Sequence, residues 1–163
     1  MAIVYIGIGT NLGNREKNCR KALEGLEEIG IRVTKRSSLY ETDPWGVKDQ
    51  PPFINMAVET ETALLPADLL EKLKAIETTM GREKTYRWGP RVIDLDILFY
   101  DDLVVDTGSL KIPHPRLHER AFVLEPLSEI APEFIHPVMG RSIKELLGGG
   151  KSSSPTKGRN LPM

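Results

Sequence analysis

At 163 residues the chain has the size of one domain rather than two, and it can bury roughly 70% of its unfolded surface without a structural metal. Its 22 basic and 23 acidic residues leave a formal net charge of −1, which argues against a general nucleic-acid binder. A single cysteine, Cys19, excludes an intrachain disulfide, no Cys/His group has zinc spacing, and no stretch approaches the ~20 apolar residues of a membrane helix. The opening run AIVYIGIG has neither a basic region before it nor a cleavage site after it, so a cytoplasmic chain away from membranes is expected.

Residues 2–8 alternate and are rich in β-formers, which predicts a first strand followed by the turn GTNLGN. Asn14 is placed to cap a helix whose apolar face is Cys19, Ala22, Leu23, Leu26 and Ile29, and Gly30 ends it. IRVTKRSSLYET (31–42) reads as a second strand, with a bulge or a bend needed to reconcile its apolar positions. A Pro/Gly loop, DPWGVKDQPP (43–52), leads to the strand FINMAVETET (53–62). Pro66 opens a second helix with Leu69, Leu70, Leu73 and Ile76 on its apolar face, and Gly81 closes it. REKTYRWGPR (82–91) is polar and basic, and VIDLDILFY (92–100) is a strand ending at an Asp101–Asp102 turn. One or two short strands, a tight helical turn at 114–122 and two short helices follow. Residues 148–163 have little to bury and are expected to be an unstructured tail after a domain of residues 1–147.

Strands 31–42 and 53–62 are joined by a loop rather than a helix, which favours antiparallel pairing. The expected fold is therefore α+β, a ferredoxin-like core with a mostly antiparallel sheet inside an α/β/α sandwich.

The most informative segment is RWGPRVIDLDIL (87–98). Asp94 and Asp96 lie two apart on a strand and share a face, while Ile93, Leu95 and Ile97 take the other. Paired carboxylates repel unless a cation sits between them, and hard oxygen ligands of this kind suit Mg²⁺. Taken alone, the triplet equally describes a solvated sheet face carrying two acids. Arg82, Lys84, Arg87 and Arg91 stand just before it, and guanidinium forks match phosphate oxygens. Acids for a metal beside bases for phosphates suit metal–nucleotide chemistry. HPRLHERAF adds His114, Arg116, His118 and Arg120 as a second basic cluster. TDPWGVKDQPPFIN adds Trp45, Phe53 and Asn55, aromatic faces and an amide that suit a heterocycle edge or, equally, a core under a loop. GIGTNLG has Leu12 where a dinucleotide-binding G-x-G-x-x-G needs its third glycine, and GKS at 150–152 has no preceding strand, so neither reads as a phosphate loop. A two-metal nuclease would need further convergent acids, and a nucleotide-sensing domain would leave the aspartate pair idle.

With these residues in hand, the chain resembles the 6-hydroxymethyl-7,8-dihydropterin pyrophosphokinases. RWGPRVIDLDIL carries the resemblance most strongly, with YIGIGTNLG, DQPPFIN and IPHPRLHERAFVLEPLSEIAP in the same order from about Ile3 to about Leu147. The resemblance implies a monomer that takes ATP and Mg²⁺ and moves a pyrophosphoryl group to the pterin hydroxymethyl oxygen. It implies that Asp94 and Asp96 ligate two magnesium ions and that Arg82 and Arg91 act with them in catalysis. Arg82, Lys84, Trp88, Arg91, Ile97, His114 and Arg120 would contact ATP. Thr42, Asp43, Trp45, Phe53, Asn55, Asp94 and Phe122 would form the pterin site.

Overall fold

A computed structural model describes residues 1–42, 52–81 and 92–149, and the backbone of 158–159. Its elements are β1 (Ala2–Thr10), α1 (Arg15–Glu28), β2 (Arg32–Arg36), β3 (Leu39–Thr42), β4 (Phe53–Thr62), α2 (Pro66–Thr79), β5 (Asp94–Tyr100), β6 (Val105–Asp106), β7 (Lys111–Ile112), a 3-10 turn (Leu117–Glu119), α3 (Ala121–Ile130), α4 (Ile143–Gly149) and β8 (Gly158–Arg159). Local signals set the helix ends. The Asn14 side chain accepts from the Lys17 N–H at 3.1 Å, and Gly30, at φ +85°, takes the left-handed turn that lets Ile31 N–H bond back to Leu26. Pro66 opens α2, where its missing N–H costs nothing.

Six of the strands form one antiparallel sheet in the order β5-β1-β4-β3-β8, with β2 also paired to β4, and β6 pairs with β7 in a separate two-stranded sheet. β1 runs two residues further than its alternation suggests: Gly9 and Thr10 still pair with Asn55 and Ile54, so the turn begins at Asn11. The expected 31–42 strand is broken into β2 and β3 at Ser37–Ser38, with a register shift between Val33 and Lys35. Ser37 spans the break, since its hydroxyl accepts from Ala57 N–H at 2.9 Å and donates to the Ser38 carbonyl at 2.8 Å. At the far end, α4 continues to Gly149 and Gly158–Arg159 lie antiparallel to Leu39–Tyr40.

Each face of the sheet has its own apolar layer. On one, Val4, Ile6, Ile8, Ile54, Met56, Val58, Leu95 and Ile97 meet Cys19, Leu23 and Leu26 of α1 and Leu69, Leu73 and Ile76 of α2. Cys19 is fully buried there, and burial pushes its thiol up to about 12, an inert group. On the other, Tyr5, Ala57, Leu98 and Phe99 pack against Leu124 and Leu127 of α3 and Ile143 and Leu146 of α4. This is the α/β/α sandwich expected from the sequence.

β5 carries a bulge that serves both layers. Tyr5 pairs with Phe99 but Ile6 pairs with Ile97, so Leu98 is the extra residue. Leu98 and Phe99 therefore fall on the same side, where Phe99 stacks near Phe134 at 4.6 Å. The Leu98 carbonyl accepts the His114 N–H at 3.1 Å, which brings the segment after β7 over the sheet.

Candidate functional site

Antiparallel register lays the site out in rows across three strands. Asp94, Gly9 and Asn55 are partners in one row, and Asp96, Gly7 and Ala57 in the next. Side chains in register share a face, so the two aspartates, the two glycines and Asn55 face the α3 side. They line a cavity of about 140 Å³ together with Thr42, Phe53, Leu98, His114, Arg120 and Phe122. The glycines form its floor, and a larger residue would displace its neighbours: a Cβ on Gly9 would lie 2.9 Å from Asn55 Oδ1, and one on Gly7 would lie 3.3 Å from Leu98 Cδ2. Asn55 Nδ2 donates to Thr42 Oγ1 at 3.1 Å, which orients the amide along the wall.

The basic groups arrive from the segment after β7. His114 is held by the backbone bond to Leu98, and its Nδ1 takes a long 3.4 Å contact from Arg116 N–H, leaving Nε2 as the N–H donor of the neutral ring. Burial, then the nearby Arg120 charge, lowers the His114 pKa to about 4, so the ring is neutral near pH 7. Arg120 caps α3 and lies 5.6 Å from the Phe122 ring centre. Burial lowers its pKa, and the Asp96 charge opposes that shift. His118 is elsewhere: its ring approaches His136 at 6.4 Å and Glu119 at 3.7 Å. The described residues hold no group of three His, Cys, Asp or Glu arranged for a metal.

A second cavity of about 310 Å³ adjoins the first. Asp94, Asp96 and His114 line both, and Leu70, Lys74, Glu77, Ile97 and Lys111 help line the second. The aspartates thus stand between two compartments, as a group-transfer site with two ligands requires. Their donor set fits a magnesium that completes its shell with phosphate oxygens and water. Of the residues singled out from the sequence, Thr42, Phe53, Asn55, Asp94, Asp96, Ile97, His114, Arg120 and Phe122 come together here. Asp43, Trp45, Arg82, Lys84, Trp88 and Arg91 lie outside the described residues. The sequence reading assigned no site role to Gly7 and Gly9, which it weighed as a dinucleotide motif and as part of the YIGIGTNLG resemblance, and it missed Glu77, whose signal was an acid inside the last turn of an amphipathic helix.

Residues 5–132 match the 7,8-dihydro-6-hydroxymethylpterin-pyrophosphokinase (HPPK) family, and the chain belongs to it. The 2-amino-4-hydroxy-6-hydroxymethyldihydropteridine pyrophosphokinase of Aquifex aeolicus is 46% identical over 145 residues, covering 89% of this chain and 90% of that protein. The folic acid synthesis protein fol1 of Pneumocystis carinii is 49% identical over 140 residues, 86% of this chain but only 19% of that protein. The crystal structure of Plasmodium falciparum HPPK-DHPS wild type with pteroate superimposes with a TM-score of 0.73 at 18% identity, over 90% of this chain and 42% of that one. The chain thus spans nearly all of one relative and less than half of the other two proteins.

Proposed function

We propose that this protein is the pyrophosphokinase of folate biosynthesis, transferring the pyrophosphoryl group of ATP to the hydroxymethyl oxygen of 6-hydroxymethyl-7,8-dihydropterin and releasing AMP. The observation that carries this reading is the pair of register rows that sets Asp94 and Asp96 between a cavity walled by Phe53, Asn55 and Phe122 and a second cavity beside Lys74 and Lys111. The pterin occupies the first: the two phenyl rings cover its faces, and Asn55, held by Thr42, reads its amide edge. ATP occupies the second, with Ile97 along the cavity wall, and its phosphates reach His114, which lines both cavities, and Arg120 of the first.

Asp94 and Asp96 would hold two magnesium ions. Bound there, magnesium supplies neutralisation of the triphosphate charge and a more acidic attached hydroxyl. The protein's own contribution is positioning, which can supply at most about 7–11 kcal/mol of the barrier. The rigid sheet fixes the pterin hydroxyl relative to the β-phosphorus for in-line attack. Arg120, with Arg82 and Arg91, which lie outside the described residues, neutralises charge as AMP departs. Lys84 and Trp88 complete the nucleotide side, and Asp43 and Trp45 the pterin side, by the same family likeness. The enzyme acts as a cytoplasmic monomer with residues 1–147 as its domain. No helix among the described residues is long and apolar enough to cross a membrane.

Nucleotide analysis after mixing the protein with ATP, Mg²⁺ and the pterin tests the reading. Pterin-dependent AMP without ADP is the expected product. ADP, or AMP independent of pterin, would sink it.

A further inference from the structure

One acid near the site defies the rules for its position. Glu77 lies in the last turn of α2, where the helix dipole disfavours a negative charge. It is 4% exposed, and it lines the same cavity as two more carboxylates, Asp94 and Asp96. Such local conflicts mark functional positions. Its contact explains the choice. Glu77 Oε2 accepts the Leu95 N–H at 2.8 Å in a buried hydrogen bond. Leu95 is the residue between the aspartates, and β5 is the outer strand of the sheet on that side. Alternate amides of an outer strand point away from the ladder and need another acceptor.

We propose that Glu77 is a positioning residue for the aspartate pair: its buried carboxylate grips the peptide between Asp94 and Asp96 and fixes the spacing at which both carboxylates meet one cation–phosphate array. The bond also ties α2 to β5 across a joint where an unsupported outer strand would twist. A shift in that peptide turns both aspartate side chains together, because each is one residue away. This inference rests on the functional reading above for the identity of the bound array.

The test compares Glu77→Ala, Glu77→Asp and Glu77→Gln in the full chain. The probe is Mn²⁺ with α,β-methylene-ATP, its binding read by paramagnetic resonance, alongside the Mg²⁺ dependence of turnover. Outer-shell partners of metal ligands typically contribute ~10–100-fold to metal affinity or activity. Glu77→Ala should lose about that factor in Mn²⁺ binding and need more Mg²⁺ for half-maximal rate, with the pterin KM unchanged. Glu77→Asp keeps the charge but withdraws the oxygen, and should behave like the alanine variant. Glu77→Gln keeps an acceptor of the same reach and should stay close to wild type. If the alanine variant does not fold, the aspartate and glutamine variants decide alone. Wild-type Mn²⁺ affinity in Glu77→Asp would overturn the proposal, as would Glu77→Gln falling as far as alanine. A wild-type protein that binds Mn²⁺ with the analogue yet makes no pterin-dependent AMP would remove the functional reading while leaving this comparison decisive. Failure of the wild type to bind them would overturn both.

Discussion

The two faces of the sheet are made from the same strands and differ in what each is for. The face under α1 and α2 is a continuous apolar layer in which β1 contributes Val4, Ile6 and Ile8 and β5 contributes Leu95 and Ile97. The opposite face keeps such packing only at its far end, around Tyr5 and Phe99. Toward Asn55 it gives way to glycine and carboxylate. Adjacent residues of one strand therefore answer to different demands. Leu95 is 4% exposed and structural, while Asp96, its neighbour, is exposed and lines the cavity. The lesson is that a rigid, well-filled side allows the other side to carry mutually repelling acids.

Substitutions can break this division. Asp96→Ala should abolish turnover by at least ~10²–10³-fold, the scale of losing a group that stabilises developing charge. Its melting temperature should stay close to wild type, because Asp96 is exposed and both its repulsion from Asp94 and its attraction to Arg120 are lost together. Steady-state kinetics beside thermal melts check both parts. Leu73→Ala, on the opposite layer, should do the reverse. Leu73 is fully buried, and its truncation should cost about 2–5 kcal/mol in denaturant unfolding, with kcat per folded molecule unchanged. Loss of kcat without loss of stability in that variant would show that the faces are not separable.

Gly9→Ala sharpens the comparison. The added methyl meets Asn55 Oδ1 at 2.9 Å, so the amide must turn away from Thr42. The expected result is a rise of roughly tenfold in the pterin KM, the scale of ~1.4 kcal/mol, with a smaller change in the nucleotide KM. Equal changes in both would place the glycine in general folding rather than in the pterin wall.

A further effect concerns pH. His114 has its folded pKa lowered to about 4 from 6.5 by burial and Arg120, so the unfolded chain binds this proton more readily. Its contribution to stability is complete above about pH 6.5 and is lost as pH falls toward 4. His136 shifts in the same direction through its own burial and His118. His114→Gln should flatten part of the decline in melting temperature between pH 6.5 and 4. An unchanged slope would mean the ring is solvated.

Much of this plan was legible in the sequence because period-2 alternation is a strong signal. The spacing Asp94–Leu95–Asp96 specifies opposite faces without any tertiary information, and the caps Asn14, Gly30 and Pro66 act locally. The bulge at Leu98 was not legible, since Ile97, Leu98, Phe99 and Tyr100 are all apolar and show no alternation to break. The glycine floor was hidden for a related reason. A glycine in a strand announces a close approach but not by what, and Asn55 lies 46 positions away in sequence. Glu77 was concealed because its partner is a backbone amide, which no side-chain pattern reveals.

The bulge also makes the length of β5 a count that the chain must keep. Asp96 and Phe99 serve the same side of the sheet although they stand three positions apart, an odd spacing that alternation allows only with one extra residue between. A codon gained or lost within 92–100 would send either the acids into the apolar layer or Phe99 away from Phe134. Genes diverging from this one should therefore vary in length at the connections between strands and keep this stretch at constant length, a ruler written into the reading frame.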